Sequence, residues 1–404
     1  MFRKKHVPVW IAIVALSGAF LVGQDAWPPA APFTLVNSIT VDGGTNGNDE
    51  PRSILHDGNG TLYVTGYVTV PSEGENIWLA RMDANLDIQT STTLNGPGNG
   101  DDAGYSIALD GTGNVYVVGY VSQTGQNHDI WIARFDADLG LVHQVMINGS
   151  ENDSDDAYGI VYDGLGNLYV SGTLRETGEG ANIWIGKYDT DLNLQTSTTL
   201  NGPVNDTDKA RFLALDGEGN LFVSGSVTQA GTDYDIWLGK FDTGLNLLDE
   251  TIVAGPTSEE DKGYGLVYDG AGTLYVTGTI IEPGQSYNSW LAKYDTDLGL
   301  LKSDTLDGPV SGEDVSYTIA LDGSGHLYQT GVYSEATGGA NVWVARYDTN
   351  LDLQAYTTYN GPGNGYDTGI GLARGLGQDL YVSASITQTS GDLDIWIARY
   401  AVSP

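Results

Sequence analysis

Along this chain of 404 residues the hydrophobic and polar positions come in short bursts, not in helical stripes. The stretch from residue 105 shows the pattern. Residues 105–109 form a short apolar run, closed by the Gly- and Asp-containing turn 110–114. Residues 115–121 are rich in β-branched and aromatic side chains, which favour a pleated, half-buried surface. A polar loop then leads to an apolar run at 130–135, a turn at 136–140 and a last segment at 141–147. Short runs separated by Gly, Asp and Asn turns predict a four-stranded antiparallel meander. A 3.6-residue period, the mark of helical repeats, is absent.

The meander recurs. Trp78, Trp131, Trp184, Trp237, Trp290, Trp343 and Trp396 fall 53 residues apart without slippage. The same interval separates Gly43, Gly96, Gly149, Gly202, Gly255, Gly308 and Gly361. It also separates Asp49, Asp102, Asp155, Asp208, Asp261, Asp314 and Asp367. Four strands repeated at this interval are the signature of a propeller blade, so the expected fold is all-β, a seven-bladed β-propeller. The seventh repeat stops after its third strand, while a spare fourth strand stands at residues 34–41. Pairing the two would close the ring and remove an exposed edge.

Composition adds a compartment. Residues 1–6 are basic and residues 7–23 carry no charge, which reads as a signal peptide or a retained membrane anchor over residues 1–23. Residues 24–33 follow as a linker and residues 34–404 as the propeller, expected outside the cytoplasm, secreted or at the cell surface. The formal net charge of −35 would repel phosphate backbones, and three of the 17 Lys and Arg lie in the leader. Nucleic acid is therefore excluded as a partner. The chain has no cysteine, so disulfides, thiolate metal sites and cysteine nucleophiles are excluded too.

The Asp ring is the leading candidate for chemistry. Asp49, Asp102, Asp155, Asp208, Asp261, Asp314 and Asp367 each sit where one blade's outer strand leads into the next blade's inner strand. Further carboxylates lie beside them, such as Asp101, Asp206, Glu260 and Glu313. Oxygen-rich loops suit Ca²⁺, which takes six to eight oxygen ligands. Asp also caps turns and accepts backbone N–H bonds, and its repetition in every blade favours that structural role. A second ring, Arg81, Arg134, Lys187, Lys240, Lys293, Arg346 and Arg399, is expected to pair with Asp residues of its own or a neighbouring blade. The seven Trp are read as packing between blades.

Catalytic constellations are missing. The five histidines (His6, His56, His128, His143 and His326) fall in different phases of the repeat, and no triad order, metal-spaced His pair or nucleotide fingerprint occurs. The loops between second and third strands vary most while keeping their length, as at residues 71–75, 123–128, 175–179 and 282–287. Variable loops on a rigid scaffold are where binding evolves.

The segment Asn95-Gly-Pro-Gly-Asn-Gly-Asp-Asp-Ala-Gly-Tyr-Ser-Ile-Ala-Leu-Asp-Gly-Thr-Gly-Asn-Val-Tyr-Val-Val-Gly119 resembles the bacterial β-propeller repeat called SBBP. So does Asp129-Ile-Trp-Ile-Ala-Arg-Phe-Asp136. The resemblance spans residues 34–400 and implies an extracytoplasmic propeller of secreted or surface proteins, with no catalytic residues to carry over. Residues 373–379 depart from the repeat's Asp-Gly-x-Gly turn. The expectation is a non-enzymatic binding or structural module that meets a protein or glycan on its loop-rich face. Self-association and membrane anchoring through residues 7–23 are compatible with it. The rival is a lyase or hydrolase of an extracellular polymer, with a site at the channel mouth; it predicts a deep, asymmetric pocket with a perturbed carboxylate or His.

Overall fold

The computed structural model describes residues 32–403, apart from 45, 46, 126, 152, 232, 311, 337 and 338. The candidate leader at 1–23, with most of the linker, lies outside the described residues. Twenty-eight strands form seven four-stranded antiparallel sheets, with no helix among the described residues. Blade 1 comprises Glu50–His56, Thr61–Val70, Gly74–Asp83 and Ile88–Leu94, running from the channel outward. Blades 2 to 6 repeat this order, and their inner strands pack side by side around the channel.

Blade 7 is completed as expected. Its strands Thr368–Arg374, Asp379–Thr387 and Leu393–Val402 are joined by Phe33–Val41, which pairs antiparallel with the last of them from Phe33 against Val402 to Val41 against Ile395. Ile39 and Val41 pack on the cluster shared by blades 7 and 1, so the first strand seals both an edge and an interface.

Seven apolar clusters hold the ring, one at each blade-to-blade interface. The seven tryptophans are all buried in them or beside them. Trp131 of blade 2, for example, packs in a cluster with Ile77 and Leu79 of blade 1. The basic ring stitches the opposite strand face. Arg81, Arg134 and Lys240 form ion pairs with Asp138, Asp191 and Asp297 of the following blade. Arg399 pairs with Asp379 of its own blade. Lys187, Lys293 and Arg346 donate to backbone carbonyls of Thr243, Thr349 and Ser403.

The turn at 373–379 closes with the same backbone bond as its counterparts. Gly375 N–H donates to Asp379 O at 2.9 Å, as Asp163 N–H does to Asn167 O at 3.0 Å. What differs is the carboxylate. Asp163 also accepts from the N–H groups of Leu165 and Asn167, and Gly375 has no side chain to do so.

Candidate binding site at the channel mouth

The Asp ring forms seven identical clasps. In each, one carboxylate oxygen accepts the N–H of the Gly six residues earlier and the other accepts an N–H twenty residues later, at the end of the second strand. Asp208 takes Gly202 at 2.5 Å and Thr228 at 2.9 Å; Asp314 takes Gly308 at 2.6 Å and Ser334 at 2.9 Å. The backbone N–H of each Asp donates to the preceding blade, as Asp208 does to Ala181 O at 2.6 Å and Asp49 to Leu393 O at 2.7 Å. One residue thus fixes a loop and a strand end through its side chain and a blade junction through its backbone N–H. All seven are buried. Burial pushes Asp102, Asp155, Asp208 and Asp314 up to about 6 and Asp261 to about 7, against the opposing pull of the two N–H bonds.

The seven carboxylates stay one to a junction and do not converge. Among the described residues three acidic groups come together at one place, where Asp42, Asp49 and Asp394 place carboxylate oxygens within 4.8 Å of one another at the closing seam. A cation bound at Asp49 would compete there with the N–H groups of Gly43 and Thr69.

The channel is built from a different set. Each inner strand carries a β-bulge at its third residue, seen as a break in register such as that between Ala157 and Gly159 or between Ala210 and Phe212. A bulge leaves one residue unpaired and re-aims its side chain. The bulged residues are Arg52, Tyr105, Tyr158, Arg211, Tyr264, Tyr317 and Ile370. They meet around the axis. The Arg52 guanidinium lies 5.3 Å from the Tyr105 ring, and Tyr105 stands edge-on to Tyr158 at 5.3 Å. Arg211 lies 5.3 Å from Tyr158 and 4.8 Å from Tyr264, and Tyr264 stands edge-on to Tyr317 at 5.0 Å. Tyrosine and arginine therefore fill the channel below its mouth.

In six blades a glycine faces the residue before the bulge, where the two strands approach closely. A Cβ at Gly225 would stand 1.8 Å from Lys209 O, and one at Gly119 would stand 1.9 Å from Ala103 O. Blade 7 alone has Ala384 at this position.

The rim above is asymmetric. The first residues of the inner strands are Glu50, Ala103, Asp156, Lys209, Lys262, Val315 and Thr368. On the blade 1 side, Glu50 accepts from the Tyr67 hydroxyl at 2.6 Å and pairs with Arg52 at 3.3 Å. Glu75 nearby is pushed up to about 7 by burial, then by the charges of Asp101 and Glu50. On the blade 2 to 3 side, His128 stacks on Tyr120 with centroids 4.1 Å apart and pairs with Asp156 at 3.0 Å. Burial disfavours the charged His128, but Asp156 outweighs it and its pKa is raised.

On the blade 4 to 5 side the sign reverses. Lys262 pairs with Glu260 and lies 5.4 Å from the Tyr287 ring, while Lys209 and Lys262 both flank Tyr234. Burial, with Arg211 and Lys262, pushes Lys209 down to about 8.

Sequence alone points to the Asp ring and to the loops between second and third strands, not to the inner strands. A signal for them exists. The positions that keep one residue type in every repeat are structural, whereas the first and third residues of the inner strand change charge from blade to blade. The perturbed Glu75 and His128 match part of what an enzyme is expected to show. The depth does not match: aromatic and guanidinium groups occupy the channel, and the recess lined by Ile77, Leu94, Trp131, Leu141 and Met146 lies along the outer strands of blades 1 and 2. No known protein family matches this chain, and no curated protein matches it either.

Proposed function

We propose that this protein is a non-enzymatic, exported binding module, a propeller akin to the SBBP repeat proteins, whose ligand is taken at the channel mouth. The observation that carries the reading is the contrast between frame and mouth. Seven clasps, seven buried tryptophans and seven bulges repeat with little change, and the side chains the bulges and inner-strand starts present do not. A purely structural ring has no use for such variation at its axis, while a ligand with unlike ends does. Tyrosines and charged groups on rigid strands are suited to this, because little side-chain entropy is lost on binding.

The test is retention of the purified protein on a panel of neutral and acidic extracellular polysaccharides. Retention on at least one is expected, abolished by Tyr234→Ala or Tyr264→Ala and kept by Glu179→Ala in a variable loop, with no new reducing ends released. Retention that disappears only with Glu179→Ala would move the site to the loops. Glu75, held near neutrality, favours a second reading as a general acid in polymer cleavage. Turnover of a polymer that Glu75→Gln abolishes would establish it in place of the first.

A further inference from the structure

Fourteen of the 17 Lys and Arg lie beyond residue 23. In so acidic a chain each should find a partner, and among the described residues twelve do, through a carboxylate or a carbonyl oxygen. The two that make neither an ion pair nor a hydrogen bond are Lys209 and Arg211. They stand two residues apart on one inner strand, Lys209–Leu215, at its first and bulged positions. Arg211 lies between the rings of Tyr158 and Tyr264, and its Nε is buried with no partner. The carboxylate of Asp156, which could serve Lys209, is taken by His128 and the Tyr158 hydroxyl.

Two adjacent, half-buried, unpaired cations repel each other and are costly to keep without a counter-charge. A guanidinium with free N–H edges beside an ammonium is the arrangement that grips an oxyanion, the guanidinium through paired hydrogen bonds and the ammonium as a point charge. The flat Tyr158, Tyr234 and Tyr264 rings beside them suit a pyranose, which has an apolar C–H face to stack and a polar edge to carry an acidic group. We infer that Lys209 and Arg211 form an oxyanion subsite that takes the carboxylate of an acidic saccharide, an assignment that rests on the channel mouth being the ligand site.

Titration calorimetry with trigalacturonate at pH 6.5, alongside NMR of ¹⁵N-labelled lysine side chains, tests this. Trigalacturonate should bind at least tenfold more tightly than neutral galactotriose, and saturation should raise the Lys209 pKa by about one unit or more. Lys209→Gln and Arg211→Gln should each weaken binding about tenfold or more, with Lys302→Gln, on an outer strand, unchanged. Arg211→Lys, which keeps the charge, should retain part of the affinity even if Arg211→Gln folds poorly. Equal binding of the neutral and acidic sugars, or full affinity in Lys209→Gln, would overturn the inference. A Lys209 response to sulfate or acetate but not to trigalacturonate would overturn the saccharide assignment. A neutral polysaccharide retained through Tyr234 with Lys209 silent would leave the mouth as the ligand site and overturn this subsite alone.

Discussion

Six leucines occupy a backbone region that leucine avoids. Leu86, Leu139, Leu192, Leu245, Leu298 and Leu351 have φ between 57° and 68°, each in the turn after a third strand. The turn demands it: at Leu192 the N–H donates back to Asp189 O at 3.0 Å, while Asp189 N–H reaches forward to Asn193 O. Left-handed backbone costs about 1–2 kcal/mol for a residue with a Cβ. The side chain answers that cost, since Leu192 is buried in the interface between blades 2 and 3, and burying a leucine is worth about 1.5–3 kcal/mol. The usual order of substitutions should therefore invert. Leu192→Ala keeps the strain and loses the burial, at about 2–4 kcal/mol. Leu192→Gly loses the same burial but relieves the backbone, and should be the more stable of the two by about 1 kcal/mol. Chemical denaturation of both variants decides; an alanine variant more stable than the glycine one would mean that the turn relaxes.

At the level of elements, blade 7 is the one blade built from both ends of the chain, Phe33–Val41 pairing with Leu393–Val402 without a connection between them. A chain beginning at residue 44 lacks Phe33–Val41 and the Gly43 N–H that the Asp49 clasp uses. It also bares the edge of Leu393–Val402. Its thermal midpoint should fall well below that of the full chain, and light scattering should show association through the open edge. A midpoint unchanged by the deletion would show that the ring does not depend on this closure. The seam also carries a conflict that four other blades avoid. Asp394 is pushed up to about 6 by burial, then by Asp42, Asp392 and Asp49. Asn76, Asn182, Asn288 and Asn341 hold the same phase in four other blades. A raised acid begins to cost stability as pH rises past its unfolded value of about 4, and the cost is complete above its folded value of about 6. Asp394→Asn should then stabilise the protein by about 1–2 kcal/mol at pH 8 and by little at about pH 3.5. Equal effects at both pH values would point to packing instead of charge.

For the whole molecule, two classes of aspartate set opposite limits on pH. Asp57, Asp110, Asp163, Asp189 and Asp216, in tight turns, have lowered pKa values because burial, which would raise them, is outweighed by the turn hydrogen bonds. Their contribution is present above about pH 4 and lost as pH falls through their folded values. Asp102, Asp155, Asp208, Asp261 and Asp314 of the clasps are raised, so their contribution is present below about pH 4 and lost as pH rises through 6 to 7. Calorimetric midpoints should peak near pH 5 and decline toward both 3 and 8. A flat profile from pH 5 to 8 would mean that the paired N–H bonds keep the clasp carboxylates ionised throughout. The same division explains what could be read from the sequence. Trp131, Gly149 and Asp155 announce blades because packing and clasping are local and repeat in every unit. The spare strand ending at Val41 announces closure for the same reason. The mouth was harder to read: the first and third inner-strand positions change charge from blade to blade, but Arg211 and Tyr264 come together only once a bulge turns them inward, and no spacing along the chain records that turn.

The bulge also separates two kinds of inheritance. The repeat recurs every 53 residues and each blade meets its neighbours through the same clasp, so the continuous blades 1 to 6 are interchangeable in the frame while each contributes its own pair of side chains to the axis. Reordering or duplicating whole repeats would then rewrite the ligand preference as a word is rewritten around a wheel, without redesigning the wheel. Exchanging the fourth and second repeats, for instance, would move the cation pair to a different neighbour and leave the scaffold as it was.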